Sequence, residues 1–386
     1  MAPTVQAPLF FFISDQSLAL LLPIVVYWTY SLLFHWVSLQ EFVWFEKYRI
    51  HTKEEETRNR VELPDVIKAV IVQQLLQTAL GFVAVLADDS EMVFDDELSL
   101  ARYQTRVASL LSFAGLQALV SPSVIATMTY ICYYYLESLV RFTVAMAVLD
   151  TWQYFLHRLF HNVPILYKHF HSRHHRLYVT YAFGALYNHP FEGFLMDSVG
   201  ASVAFLISGM GNRGALAFFS FSTLKTLDDH CGYNLPFNPL QFIFSNNADY
   251  HDIHHQHFGI KSNFSQPFGT IWDHILGTHM SREEANEIIR KKEERKAARV
   301  ASSKPTVMPA KNSPVSSVYP ADEDVHSSGN NSEHDSHEGE KQLESQKGMD
   351  NLGAIPLGAT ELRERFSTRA RVDNGFVSGK GQGKAL

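Results

Sequence analysis

Apolar residues fall into four blocks before position 230, and each block predicts helix. Ser17 to Gln40 carries no Asp, Glu, Lys or Arg. As a helix these 24 residues are roughly 36 Å long, enough for a hydrocarbon core of about 30 Å. Trp28 and Trp36 suit the interfacial regions. A cleavable signal peptide is the competing reading, but the block has no basic n-region and is too long for an h-region. Ala69 to Ala87 is the second block; Gln73, Gln74 and Gln77 in it should face other helices rather than lipid. Val107 to Leu136 is the third, interrupted by Ser121-Pro122-Ser123. It reads either as one kinked span or as a short surface helix followed by a span that runs toward Leu149. Phe194 to Leu224 is broken by a glycine-rich turn from Gly209 to Gly214 and reads as a hairpin of two short helices.

Charge orients these blocks. Lys47, Arg49, Lys53, Arg58 and Arg60 lie between the first two spans, so that loop should be cytoplasmic. If the third block crosses once, His157 to His189 is cytosolic, and the hairpin returns the chain to the same side for His230 to His255. After Ser281 a Glu/Lys/Arg-rich helix gives way to Ser, Pro, Asn and Gly without apolar periodicity, the signature of a disordered tail. The expected organisation is a membrane-spanning region 1–140, a catalytic domain 141–280 containing the hairpin 194–224, and a cytosolic tail 281–386. The net charge of -7 gives no reason to expect nucleic-acid binding, and two cysteines exclude a disulfide framework or a four-cysteine zinc site.

Histidine changes the picture. Of 19 in the chain, twelve lie between His157 and His257. Three clusters stand out: His157-Arg-Leu-Phe-His161, His171-Ser-Arg-His174-His175 and His251-Asp-Ile-His254-His255. Four-residue spacing puts two imidazoles on one helix face, one turn apart. In HxxHH the first and third histidines share a face and the adjacent one is turned by about 100°. One motif can thus give two ligands to one ion and a third to its neighbour. Eight imidazoles exceed the needs of one metal, so a two-metal site follows, of a kind suited to zinc, copper, iron or nickel. His189 and His230 flank the hairpin and complete a candidate set of ten. His51, His274 and His279 are read as incidental or structural, and His326, His334 and His337 as tail. Ligand rings donate their second N–H to a carboxylate or carbonyl. Asp150, Asp229 and Asp252 are the first candidates, with Glu192, Asp228, Asp249 and Asp273 also near in sequence.

The order HxxxH, HxxHH, HxxHH, with an apolar hairpin before the last box, resembles the membrane fatty acid hydroxylase superfamily. Asp150 to Arg158 looks like its first box, and Phe268 to Asp273 with Gly277-Thr278 like its closing segment. Ser172 to Pro190, with Asp228-Asp229-His230-Cys231-Gly232, resembles the sphinganine C4-hydroxylases of fungi and plants. The fold this implies is all-α, an integral-membrane helical bundle with a cytosolic, histidine-rich helical cap. The resemblance further implies two iron ions, molecular oxygen, and electrons from cytochrome b5 and an NAD(P)H reductase. It implies sphinganine or dihydroceramide as substrate and the endoplasmic reticulum membrane as location, with the active site facing the cytosol. Some relatives carry a histidine where this chain has Asn234; His189 is the expected substitute. A sterol desaturase or sterol C4-methyl oxidase shares the motifs. A metal transporter is the alternative of another class, but its ligands would sit near the bilayer midplane rather than among surface Arg and Asn.

Overall fold

The structure, a computed structural model, describes residues 4–5, 7–87, 93–94 and 96–303. The acidic stretch 88–92 and the tail beyond 303, with its three histidines and the glycosylation pattern at Asn330, lie outside them. The described residues are nearly all helical; a two-residue pairing of Thr4–Val5 with Val93–Phe94 forms their one sheet.

The long helices are α1 (Asp15–Gln40), α2 (Leu63–Ala87), α3 (Asp96–Phe113), α4 (Pro122–Asn162), α5 (Pro190–Ser208) and α6 (Asn212–Asp229). All but α3 and α6 are long and apolar enough to cross a membrane. Leu32, Leu33, Leu75, Leu76, Val83, Leu139 and Val140 point outward. In water such a surface would aggregate; in a bilayer it is solvated by lipid. The glutamines of α2 turn inward as expected: Gln73 and Gln74 are buried, and Gln74 accepts the Trp28 indole N–H at 3.0 Å.

The third apolar block takes the second of its two readings. Helix α3 is a separate helix, packed through the Tyr103 ring on Tyr133 at 5.6 Å, and Pro122 starts a new helix whose first turn is capped by the Ser121 side chain. That helix runs on through a π-helical turn at Cys132–Leu136 for 41 residues. At 1.5 Å per residue it is about 60 Å long, twice the thickness of the hydrocarbon core. It is thus long enough for its last turns, which carry His157 and His161, to extend past a hydrocarbon core. Val163 is extended, as the residue before proline prefers, and Pro164 ends the helix and opens the next short one.

The hairpin turns at Gly209, which is left-handed (φ 62°), a conformation that costs glycine little. Arg141 of α4 donates to the carbonyls of Ser208 and Gly209, closing the C-terminus of α5. Arg213 of α6 pairs with Asp15 at the start of α1 at 3.0 Å. At the other end Tyr30 of α1 donates to Asp228 at 2.8 Å, and Tyr27 to the carbonyl of Phe183 at 2.8 Å. The hairpin is thus anchored to α1 at both ends, and α1 holds the segments that carry the histidines.

Those segments are a 3₁₀ helix at His171–Arg176, the helix α7 (Ala248–His255) and the loops between them. The charged helix α8 (Arg282–Ser303) follows, where the sequence predicts one. Asn263 is wholly buried and donates to the carbonyls of Tyr250 and Met280, so the glycosylation pattern there is inaccessible.

Candidate metal centre

Nine histidines converge in two adjoining groups. His157, His161, His171, His175 and His254 form one; His174, His230, His251 and His255 form the other. Within each group the facing ring atoms lie within 4.8 Å of one another. Metal–nitrogen bonds of about 2 Å require a spread near 4 Å. Each HxxHH motif is divided between the groups, the His251–His255 motif as α-helical spacing predicts and the His171–His175 motif, on a 3₁₀ turn, by the packing of its rings. His171 and His175 serve the first group and His174 the second; His251 and His255 serve the second and His254 the first. The ring centroids of His175 and His255 are 4.9 Å apart, so the groups share a wall.

Hydrogen bonding fixes which nitrogen faces inward. Nδ1 of His157 meets the Phe264 carbonyl at 2.8 Å, His230 that of Thr226 at 2.8 Å, and His254 that of Ser262 at 2.7 Å. His255 Nδ1 meets the Leu177 carbonyl at 2.8 Å, and His171 Nδ1 the carboxylate of Glu192. A carbonyl oxygen can only accept, so those Nδ1 atoms carry the proton and Nε2 keeps a lone pair. Nε2 of His157 and of His171 then face each other at 3.1 Å with no proton between them. Nε2 of His254 is buried with no partner. Converging lone pairs repel unless a cation lies among them, and buried orphan acceptors are costly. The donor set therefore fits two metal ions bound by imidazole.

Burial keeps the rings neutral, which is the metal-binding form. Removal from water pulls His171, His174 and His230 down to about 3. The same effect, reinforced by neighbouring rings, holds His175, His251, His254 and His255 well below the ordinary value. The unfolded chain takes up these protons near pH 6.5 and the folded chain resists them. The stability they contribute is full above pH ~6.5 and drains as pH falls toward 3. The metal-free protein in detergent is predicted to show a melting temperature that declines steadily from pH 7.5 to 4.5. A flat profile over that range would contradict buried neutral rings.

The tenth candidate, His189, stands outside both groups. Its Nδ1 accepts the Phe191 N–H at 3.2 Å, capping the start of α5, and its ring packs on Phe170. Nothing in the structure carries that ring to the position vacated at Asn234. The three aspartates expected to orient the rings also bond elsewhere. Asp150 accepts the N–H groups of Phe268 and Gly269 at 2.9 and 2.7 Å. Asp229 pairs with Lys225, and Asp252 with His51 at 2.7 Å and Arg282 at 3.3 Å. They brace the loops and helix that present the ligands, one layer further out. The carboxylate that touches a ring is Glu192. Asp273 acts through the backbone: it accepts the N–H groups of Phe264 and Ser265, fixing the carbonyl that holds His157. His51 is not incidental either, since it bridges Glu55 and Asp252 and so ties the loop between α1 and α2 to α7. His274 and His279 stack on each other at 4.1 Å, away from both groups.

Glu192→Ala would leave the His171 ring free to turn. It is expected to lower metal affinity or turnover by about 10–100-fold, whereas His189→Ala should stay near wild type. Iron per chain and product per iron, measured on both variants, check this; equal loss in the two would contradict the assignment.

The family model for fatty acid hydroxylases matches residues 142–278, the stretch that contains all nine rings. The chain belongs to that family and is a multi-pass membrane protein. It is 41% identical to a sphingolipid C4-hydroxylase of Schizosaccharomyces pombe over 74% of this chain and 95% of the relative. It is 45% identical to sphinganine C4-monooxygenase 1 of Arabidopsis thaliana, over 70% of this chain and 90% of the relative. A very-long-chain aldehyde decarbonylase of Oryza sativa subsp. indica is 42% identical over the same shares. No solved structure matches the chain.

Proposed function

We propose that this protein is a sphingolipid C4-monooxygenase that hydroxylates C4 of a long-chain base or its N-acyl derivative at a pair of histidine-bound iron ions. The observation that carries this reading is the division of nine imidazoles, eight buried and His175 half-buried, into two adjoining sets, in a chain whose relatives bear the names given above. The nine rings, without His189, are the proposed ligands. When bound, the two irons supply oxidation of an unactivated C–H bond by dioxygen. Overall, R–H, O2, two electrons and two protons give R–OH and water, the electrons coming from an acidic carrier such as cytochrome b5.

The protein's own residues supply position and dryness. An elongated cavity of about 530 Å³ runs between α1, α2, α5 and α6, within the range typical of ligand sites. Leu20, Ile24, Leu80, Phe194 and Leu206 give it an apolar wall. Leu80 and Leu206 are also exposed on the outer surface, so a lipid tail can enter from the bilayer without crossing water. The cavity reaches the metal centre at Thr226, whose carbonyl holds His230, and at Gln153, one turn before His157. On the aqueous side Arg60, Arg173 and Arg176 border an open cleft with Glu62 and the Lys68–Asp65 pair, and its net positive charge fits an acidic electron donor. The orientation expected from loop charge places that cleft in the cytosol, and the endoplasmic reticulum is the proposed membrane.

The test is conversion of sphinganine by purified, iron-loaded protein with a reductase, cytochrome b5 and oxygen, read by mass spectrometry. The expected product is the 4-hydroxylated base. A sterol product, or a hydrocarbon from a long-chain aldehyde as the rice relative's name suggests, would overturn the reading.

A further inference from the structure

The lipid cavity contains one carboxylate that the metal centre does not use. Asp197 of α5 lines its wall among apolar side chains. Its Oδ1 is 3.4 Å from the Gln153 amide. Its Oδ2 is buried and has no hydrogen-bond partner. Among the described residues no Lys, Arg or His forms an ion pair with it, and the carboxylate of Glu192 acts on it with like charge. A carboxylate at membrane depth without a partner is costly, and such groups mark sites where a ligand supplies the missing charge.

We propose that Asp197 is the receptor for the ammonium group of a protonated long-chain amine, and so selects the free base over its N-acyl form. This rests on the function proposed above. The occupant follows from the cavity's two ends. The apolar wall open to the bilayer requires a long hydrocarbon tail, and the unpaired carboxylate requires a cation on the same molecule. An amide nitrogen carries no charge and brings a second chain. Position agrees as well. Gln153, which touches Asp197, precedes His157 by one helical turn, about 6 Å along the axis. In sphinganine the amino group is on C2 and the carbon to be oxidised is C4, two carbons away. A head held at Asp197 would fix C4 two carbons from its anchored amine, on the side of the cavity that Gln153 and Thr226 border, while the tail runs along α1 and α2.

The experiment measures binding directly. Full-length, iron-loaded protein in detergent is titrated with sphinganine and with N-acetylsphinganine, which lacks the charge. Wild type should prefer sphinganine at least tenfold. Asp197→Asn should lose most of that preference, with iron content and N-acetylsphinganine affinity unchanged, and Asp197→Glu should retain it. Equal binding of the two lipids by wild type overturns the proposal before any variant is made. So does a preference that survives in Asp197→Asn or disappears in Asp197→Glu while iron is retained. Turnover is scored in the same samples. Charge-selective binding without a 4-hydroxylated product would remove the proposed function and leave the amine site standing.

Discussion

His174→Ala and His254→Ala each abolish product formation while the protein still inserts into the membrane. Neither ring lies in a membrane span or contributes to the outward apolar surface, so insertion does not depend on them. The two variants differ in what they leave behind. His174 belongs to the group of four, and its loss leaves three imidazoles; His254 belongs to the group of five, and its loss leaves four. Iron per chain should therefore fall from two toward one in His174→Ala and fall less in His254→Ala, with turnover undetectable in both. Metal analysis beside an oxygen-dependent assay makes the comparison. Full activity in either variant would take that ring out of the centre.

Lys225→Met strongly destabilises the folded protein. Lys225 is wholly buried; it pairs with Asp229 and donates to the Asn246 carbonyl at 2.9 Å, tying α6 to the loop before α7. Removing one member of a buried pair strands the other charge, at a cost of about 3–5 kcal/mol. Here Asp229 would be left beside Asp228. Replacing both, as Lys225→Met with Asp229→Leu, removes both charges and should recover much of the loss. Thermal inactivation of Lys225→Met, of Asp229→Leu and of the double variant in detergent reads the coupling. A single variant as stable as wild type would show that the pair does not brace the fold.

Spacing carried the division of the His251–His255 box, because side-chain direction along an α-helix is periodic and local; the His171–His175 box lies on a 3₁₀ turn, where i and i+3 eclipse, and packing sorts its rings. His189 shows the limit of that logic. It sits in the right stretch of chain, but its backbone lies at the start of α5, where its ring is occupied as a cap. The aspartates fail for a similar reason. Nearness in sequence does not say which way a carboxylate points, and Asp150, Asp229 and Asp252 turn toward backbone N–H groups, Lys225 and His51. Most acceptors that do orient the rings are main-chain carbonyls, of Leu177, Thr226, Ser262 and Phe264. Every residue has a carbonyl, so no residue type announces them.

Apolar runs and imidazole spacing are properties of neighbouring residues, and they determined that the chain is a membrane protein with histidine boxes suited to a metal centre. Tertiary structure decided the ligand set, the proton-bearing nitrogen of each fixed ring, and the unpaired Asp197 in the lipid cavity. Most of these depend on contacts between segments tens to hundreds of residues apart, such as His157 with Phe264, His255 with Leu177 and Asp197 with Gln153. The free energy of such contacts is set by burial and by the partner's orientation, and neither is encoded locally.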